Sequence, residues 1–278
     1  MKIGFVTDST SDIPADLADS HGIEIVPALV NINGNSFTDG IDISREKFYS
    51  RLPDLIPPPT TSSPSVGSFQ ECYEKILRAG ADFLISIHPP NELSGIFNAA
   101  RLAAEGFGQR IRVMDSGQVS LGLGFQVIMA AEAAARGAIL EEVTSLLENV
   151  RQRVRLAALL DTIEYVHRSG RVSWAVAKIG SLLRLQPLIE LRLGIIHRLG
   201  QARTRAQGIE QLVDSLNSWG PLERLAVLHT NAESAALQLL EEVKSKVVTQ
   251  PLVVNVTTAI GTHVGPNGLG FAAVPIQP

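Results

Sequence analysis

Short apolar segments alternate with segments of helical spacing along the first half of the chain. Each apolar run ends in a polar turn and is followed by a helical pattern: 2–6 by 17–21, 81–87 by 96–105, and 111–114 by 119–136. Repeated strand–turn–helix units of this kind predict a parallel sheet covered by helices. A helical pattern at 140–153 closes this predicted unit, and the β-branched run at 23–32 predicts one further buried strand.

The pattern changes after residue 155, where a hairpin signal at 194–200 is mixed with helical segments. Predicted strands are 157–160, 187–196, 225–229 and 252–257, and predicted helices are 161–168, 174–183, 205–219 and 232–247. This mixture indicates an α+β domain with a mixed or antiparallel sheet. We therefore expect a parallel-sheet α/β domain at 1–153, with segment 61–79 free to pack on the second domain, and a smaller α+β domain at 154–278.

The segment 55–70, LIPPPTTSSPSVGSFQ, contains no ionisable side chain. Its three consecutive prolines favour an extended, stiff backbone, and four hydroxyl residues follow at 60–63. Ser65 is placed to cap the helix that begins after it. Hydroxyls and free N–H groups at a helix start can bind an anion, while the alternative interpretation is a surface linker with an ordinary cap.

Composition narrows the classes of function. A chain of 278 residues favours two domains, and a net charge of −4 gives no basic surface for nucleic acid. The single cysteine, Cys72, excludes an intrachain disulfide and fits a reducing compartment. The first residues resemble a strand rather than a signal peptide, so a cytoplasmic location is expected. The charge-free segment 247–278 is interrupted by prolines and glycines, which predicts strands and turns instead of a membrane span.

Common catalytic motifs are absent from the sequence. There is no G-x-S-x-G, Walker-type, H-E-x-x-H or G-x-G-x-x-G pattern, and the six histidines lack helical metal-ligand spacing. We therefore expect no metal and no cofactor. Asp8 and Asp12 follow the first strand, where they could bind a divalent cation or, as the favoured interpretation, cap the next helix.

Hydroxyl groups follow three predicted strands, at residues 9–11, Ser94 and Ser116, and these turns should meet at one edge of a parallel sheet. His263 lies in a glycine-rich segment that allows a ligand to approach it, although a structural histidine is the alternative. Arg171 and Arg203 each follow a short turn, and either could contribute positive charge to an anion site.

Several segments in order resemble the DegV family, the fatty-acid-binding subunits of bacterial fatty acid kinase. They are TDSTSDIP at 7–14, TSSPS at 61–65, SG at 94–95, MDS at 114–116, LDTIEYVHRSGRV at 160–172 and GTHVGPNGLG at 261–270. The resemblance implies a non-catalytic carrier that encloses one long-chain fatty acid between its two domains. It also implies a partner, the kinase catalytic subunit, which converts the presented carboxylate to an acyl phosphate.

When the family's functional residues are matched to this sequence, the carboxylate-binding hydroxyls fall on Thr61 and Ser94. The arginine and histidine near the ligand's head group fall on Arg203 and His263. The motif neighbours Ser62, Gly95, Ser116 and Thr262 complete the predicted ligand-binding set. Two departures from the family pattern are Ser63 in place of glutamine and Ile96-Phe97 in place of Thr-Tyr. The resemblance further implies palmitate-like ligands, a role in phospholipid synthesis and transient membrane contact.

Two alternatives remain open from the sequence. One is a stand-alone acyl hydrolase that uses Ser94 or Ser116 as nucleophile with His263 as base. The other is a carrier or sensor for a different amphiphile, without a kinase partner. In the favoured interpretation the tail provides most of the affinity, at about 0.8 kcal/mol per CH₂, and hydroxyl donors orient the carboxylate, at roughly 1.5–3 kcal/mol each.

Overall fold

The computed structural model describes residues 1–172 and 185–277, so the predicted helix at 174–183 lies outside the described residues. The strands are β1 (Ile3–Asp8), β2 (Ile23–Val26), β3 (Leu29–Ile32), β4 (Asn35–Thr38), β5 (Thr60–Ser62), β6 (Phe83–His88), β7 (Ile111–Asp115), β8 (Arg155–Leu159), β9 (Gln186–Arg192), β10 (Ile195–Ala202), β11 (Leu222–His229), β12 (Leu252–Asn255) and β13 (Leu269–Pro275).

Helices connect most of these strands. They are α1 (Ala15–His21), α2 (Arg45–Arg51), α3 (Val66–Arg78), α4 (Ile96–Ala104), α5 (Leu121–Ala135), α6 (Leu140–Arg153), α7 (Glu164–Ser169), α8 (Arg205–Asn217), α9 (Glu233–Val243) and α10 (Thr258–Val264). Short 3-10 helices are Ser9–Ser11, Leu52–Asp54, Glu105–Arg110 and Lys244–Lys246.

The first sheet has the order β2-β1-β6-β7 and is parallel throughout. Its strands are apolar on both faces because helices cover both sides. Phe69, Tyr73 and Ile96 of α3 and α4 pack on one face, and α5 packs on the other. The predicted parallel α/β arrangement is confirmed.

The second sheet has the order β10-β9-β8-β13-β11-β12. Only β11 and β12 pair in parallel, and the remaining pairs are antiparallel, so this sheet is mixed as predicted. Helices α5 and α6 lie between the two sheets in one continuous apolar core. Helices α8 and α9 pack on the opposite face of the mixed sheet.

The boundary between residues 153 and 154 stays a prediction, since α5 contacts both β1 and β13. Within segment 61–79, α3 packs on α4 and the parallel sheet, whereas β5 contacts α10 of the C-terminal part.

Two sequence-based predictions of local structure are wrong. The run 23–32 is not one strand, because Pro27 interrupts it and lacks an N–H for a ladder. β2 joins the parallel sheet, and β3 forms a separate antiparallel sheet in the order β4-β3-β5. The segment 247–278 contains a helix, α10, in addition to strands and turns. Contacts with the N-terminal part stabilise α10, and these contacts are not visible in its local sequence.

Candidate ligand-binding site

Two adjoining parts of one cavity region lie between the sheets. One part, the polar chamber, has a volume of about 170 Å³, and the other, the apolar chamber, about 100 Å³. Both volumes are many times the roughly 10–15 Å³ that one water molecule requires. The two parts adjoin, because five residues line both: Leu93, Val119, Ile196, Ile260 and Val264.

The apolar chamber is built on the inner face of the mixed sheet. Side chains from alternate positions of β8 and β9 point toward it, because successive residues of a strand face opposite sides. Its lining includes Leu156, Ala158, Leu160, Ile189, Leu191, Leu228 and Val256. Two glycines, Gly268 and Gly270, form part of the wall, and a Cβ at Gly270 would lie 2.7 Å from the Ala157 carbonyl oxygen. The surface presented to the chamber is apolar throughout.

Hydroxyl groups from three parts of the chain meet in the polar chamber. Thr61 and Ser62 come from β5, which pairs with β3, and Ser63 follows directly. Ser94 lies in the turn after β6, where its N–H donates to the Pro90 carbonyl oxygen. Thr10 enters from the turn after β1.

Close packing fixes the turn between β6 and α4. A Cβ added at Gly95 would lie 3.1 Å from the Ser63 hydroxyl oxygen, so a larger residue would require the Ser63 side chain to shift by a few tenths of an ångström. The Ser94 hydroxyl oxygen accepts a hydrogen bond from the Ile96 N–H at 3.3 Å. Its own hydrogen is therefore available to donate into the chamber.

The contact at the centre of the polar chamber joins Thr61 and His263. The Thr61 hydroxyl oxygen lies 2.8 Å from Nε2 of His263, a residue 202 positions away. Burial, together with the positive charge of Arg171, lowers the pKa of His263 to about 4. The imidazole is therefore neutral at pH 7, and one of its two nitrogens carries the single proton.

The tautomer of His263 decides what Thr61 can bind. When Nε2 carries the proton, it donates to the Thr61 oxygen, and the Thr61 hydroxyl hydrogen remains free to donate to a ligand. When Nδ1 carries it, the Thr61 hydroxyl donates to Nε2 and has nothing left to donate. An anionic ligand that accepts from Thr61 therefore selects the Nε2–H tautomer of His263.

The charge of the polar chamber is positive. Its described lining contains Arg171 and His263 as ionisable residues and no aspartate or glutamate. The Arg171 guanidinium is exposed at the rim, and its Nη1 donates to the Ser169 carbonyl oxygen at 2.7 Å. Such a chamber suits an anion that is bound mainly by uncharged hydroxyl donors.

Five of the eight residues predicted for the site line the polar chamber: Thr61, Ser62, Ser94, Gly95 and His263. The other three lie outside the described lining. Ser116 is buried and donates its hydroxyl to the Gln118 carbonyl oxygen, while Thr262 donates to the Thr258 carbonyl oxygen within α10. Arg203 is exposed beyond the end of β10, and its N–H donates to the Gln207 side chain.

Arg171, which like Arg203 was a candidate for positive charge at an anion site, lines the polar chamber. The available signal was the turn Ser169-Gly170 that directly precedes it. Thr10 and Ser63 were also absent from the predicted set, although both stand in the motifs that carried the resemblance.

Asp8, His88 and Ser86 form a hydrogen-bonded row outside the lining of the polar chamber. Asp8 Oδ2 lies 2.7 Å from His88 Nδ1, and His88 Nε2 lies 2.7 Å from the Ser86 hydroxyl oxygen. All three residues are fully buried, and the ring of Phe69 packs against His88 edge to face. A substrate cannot reach Ser86, so this row is structural despite its residue types.

The two aspartates near the first strand act within the protein. Asp8 accepts from the N–H of Thr10 and so caps the short 3-10 helix Ser9–Ser11, whereas α1, the helix that the capping interpretation concerned, begins after Pro14 without a side-chain cap. Burial raises the pKa of Asp12 to about 6, even though Arg45 and hydrogen bonds from Ser120 and Thr257 lower it. In residues 1–172 and 185–277, no three His, Cys, Asp or Glu side chains are grouped to share a metal ion. Over the same residues, no helix has the length and apolar character needed to cross a bilayer.

Comparison with known proteins relates this chain to one family. The family model described as "Uncharacterised protein, DegV family" matches residues 2–275. A DegV domain-containing protein of Streptomyces coelicolor is 34% identical over 272 residues, which cover 96% of each chain.

Solved structures show the same fold over the full length. A structure titled "Fatty Acid Binding of a DegV family Protein from Thermus thermophilus" has a TM-score of 0.91 and 33% identity, covering 99% of this chain and 100% of that one. The structure of DegV from Bacillus subtilis, titled a fatty acid binding protein, has a TM-score of 0.87 and 31% identity, with coverage of 99% and 100%. The present chain therefore belongs to the DegV family.

Proposed function

We propose that this protein binds a long-chain fatty acid, with the hydrocarbon tail in the apolar chamber and the carboxylate in the polar chamber. The observation that carries this proposal is the junction of the two chambers. An apolar wall continues directly into a set of hydroxyl donors with one arginine and one neutral histidine. A molecule with a long apolar part and one terminal anion matches both halves of this cavity.

The two halves make different contributions to binding. Transfer of a C16 tail from water contributes on the order of 10 kcal/mol at about 0.8 kcal/mol per CH₂. A hydrogen bond from Thr61 or Ser94 to a carboxylate contributes roughly 1.5–3 kcal/mol. Arg171 adds a permanent positive charge at the rim. The tail therefore provides most of the affinity, and the hydroxyls fix which end of the ligand faces the polar chamber.

The relatives support the same ligand class. The Thermus thermophilus and Bacillus subtilis proteins, both above 30% identity, are described by their titles as fatty-acid-binding. The chambers of the present chain supply the chemistry that such a ligand requires, from its own residues.

The finer proposal is that the protein is a non-catalytic carrier in a fatty acid kinase system. A partner kinase would catalyse attack of a carboxylate oxygen on the γ-phosphorus of ATP, which breaks the bond to the leaving ADP and gives an acyl phosphate. Uncharged hydroxyl donors hold the carboxylate without enclosing it in a tight ion pair, and its oxygen stays nucleophilic. A cytoplasmic location, transient membrane contact and a role in phospholipid synthesis belong to this same proposal.

The geometry gives less support to a stand-alone hydrolase. His263 Nε2 contacts Thr61, and the hydroxyl groups of Ser94 and Ser116 form hydrogen bonds with backbone groups. The row of Asp8, His88 and Ser86 has the residue types of a catalytic triad, but it is fully buried. Neither arrangement presents a serine activated by a base to the cavity.

Identification of the copurifying ligand tests the proposal. Native mass spectrometry of the purified chain should show one bound lipid per chain, and solvent extraction should release a free fatty acid. An uncharged amphiphile in its place would favour a carrier or sensor of another kind. Addition of a fatty acid kinase catalytic subunit with ATP should then yield an acyl phosphate, which hydroxylamine traps as a hydroxamate. Release of acid from acyl esters by the purified chain alone would support the hydrolase.

A further inference from the structure

Helix α10 forms a shared wall of the two chambers. Ile260 and Val264 line both chambers, and Ala259 and His263 line the polar one. Although α10 lies near the C-terminus, it packs on α2, β3 and β5 of the N-terminal part. The position of this short helix therefore decides where the imidazole of His263 lies relative to Thr61.

Asp39 binds the first residues of α10. Its Oδ1 accepts hydrogen bonds from the Thr258 N–H at 3.2 Å and from the Thr258 hydroxyl at 2.5 Å, and its Oδ2 accepts from the Thr257 hydroxyl. Asp39 is only 3% exposed. Three donors from two adjacent residues therefore meet one buried carboxylate, so a shift of the helix start would leave a buried charge without its partners.

The loop that carries Asp39 is itself connected to the polar chamber. The Asp39 N–H donates to the Ala28 carbonyl oxygen at 2.9 Å, and Ala28 lines that chamber. Asp39 thus joins the wall that contains Ala28 to the start of the helix that contains His263.

Neighbouring contacts prevent α10 from moving independently of this anchor. Asp12 Oδ1 accepts from the Thr257 N–H at 2.8 Å, and the Tyr49 hydroxyl donates to the Val256 carbonyl oxygen at 2.9 Å. The Tyr49 ring packs directly on Gly261, where no side chain would fit. His263 follows Thr258 by five residues, or about 7.5 Å of helix at 1.5 Å per residue. Over this distance a helix transmits a shift of its first turn with little loss.

We propose that Asp39 is a positioning residue for the carboxylate site, acting through α10 to hold His263 Nε2 against the Thr61 hydroxyl. This inference rests on the proposed fatty-acid-binding function. Asp39 does not contact the ligand. It fixes the imidazole that keeps the Thr61 hydroxyl hydrogen directed at the carboxylate, and so determines the preference for an acid over an uncharged head group of equal chain length.

The test compares palmitate with 1-hexadecanol as probes on the full-length chain. Both probes place the same tail in the apolar chamber, and only palmitate presents a carboxylate. In Asp39→Ala we expect the ratio of the two affinities to fall at least tenfold, with hexadecanol affinity within twofold of wild type. Asp39→Asn retains one accepting oxygen, so its ratio of palmitate affinity to hexadecanol affinity should lie between those of Asp39→Ala and wild type. Thr258→Val, which removes one donor and keeps the shape, should give an intermediate loss and serves if Asp39→Ala does not fold.

Thr204→Ala is the matched control. Thr204 caps α8, where its hydroxyl oxygen accepts from the Gln207 N–H at 3.3 Å, and α8 does not line the described cavity. Loss of this cap should lower thermal stability without changing the ratio. Nitrogen-15 NMR of the His263 ring provides a second measurement, since Asp39→Ala should shift Nε2 away from its wild-type value and Thr204→Ala should not.

The outcomes separate the inference from the function on which it rests. Equal loss of palmitate and hexadecanol affinity in Asp39→Ala, or an unchanged ratio with an unchanged Nε2 signal, would overturn the positioning role. A wild-type chain that binds both probes equally would instead contradict the proposed carboxylate site. In that case the Nε2 shift alone still decides whether Asp39 positions His263.

Discussion

The polar and apolar chambers are built in different ways from the same two-sheet scaffold. The apolar chamber uses side chains of regular strands, mainly β8 and β9, which are fixed by a continuous hydrogen-bonded sheet. The polar chamber uses turns, the short strand β5 and the helix α10, which come from distant parts of the sequence. Many small van der Waals contacts stabilise the walls of the apolar chamber. In the polar chamber, a few directional hydrogen bonds hold the functional groups in place. We therefore expect them to respond to substitution in different ways.

Blocking the apolar chamber should have the largest effect on ligand affinity. Ala158 lies on its wall, and Ala158→Phe would displace about four methylenes of a bound chain, a loss of roughly 3 kcal/mol or more than 100-fold in affinity. Palmitate and hexadecanol should lose affinity equally, as measured by displacement of a fluorescent fatty acid. Ala206→Phe, at an exposed position of α8, is the control. A larger loss for palmitate than for hexadecanol would show that the chambers are not independent.

Removing one hydroxyl donor should have the next largest effect, and it should lower the affinity for fatty acids only. Thr61→Val keeps the shape and leaves His263 Nε2 without its partner. A lost charge-assisted hydrogen bond predicts roughly a 10- to 150-fold weaker affinity for palmitate. Ser94→Ala should act in the same direction. Unchanged lipid occupancy by native mass spectrometry, together with unchanged kinase turnover, would contradict the role of these hydroxyls.

The variants Arg203→Ala and His263→Ala should separate ligand binding from phosphoryl transfer by the partner kinase. Arg203 is exposed and outside the described lining of both chambers, so lipid content should stay within twofold of wild type. For His263→Ala we expect palmitate affinity to fall at least tenfold, as in Asp39→Ala, and the kinase-coupled rate to fall further, because the Thr61 hydroxyl loses its orientation. Comparison of extracted lipid with acyl phosphate formation measures both. Complete loss of lipid in either variant would assign that residue to binding.

The smallest net effect is expected from pH, because two buried groups act in opposite directions. The pKa of His263 is lowered from 6.5 to about 4, so its contribution to stability is present above pH 6.5 and is lost as pH falls toward 4. The pKa of Asp12 is raised from 3.8 to about 6, so its buried charge lowers stability above pH 6, and protonation relieves this as pH falls toward 4.

Single variants should reveal each contribution. Relative to wild type, His263→Gln should become more stable as pH falls from 7 to 5, and Asp12→Asn should become less stable over the same range. Thermal unfolding at several pH values measures these differences. Parallel curves for wild type and both variants would show that neither group titrates in this window.

The sequence was sufficient to predict the architecture because it follows from local patterns. Alternating apolar and helical segments give the parallel sheet, and the turns after β1 and β6 bring Thr10 and Ser94 to the same edge. The cap at Ser65 is also local, and its hydroxyl accepts from the Ser68 N–H as the spacing indicates.

The remaining features depend on contacts between distant residues. Helix α10 contains two threonines and one glycine, residues that favour other conformations, and it forms where Asp39, Asp12 and Tyr49 bind its start. Which of Arg171 and Arg203 lies beside the polar chamber depends on where two similar turns lie after folding. The wall of the apolar chamber comes from several strands. Their sequence pattern is the same as that of strands buried in an ordinary core, so the sequence does not show that they line a cavity.

The separation of Thr61 and His263 by 202 residues bears on when the polar chamber can form during synthesis. Protein synthesis proceeds from the N-terminus, and N-terminal parts fold first. The contact between these two side chains can form only after His263 has been made and has left the ribosome. Under the proposed function, a nascent chain that stops short of His263 would therefore lack the complete carboxylate site.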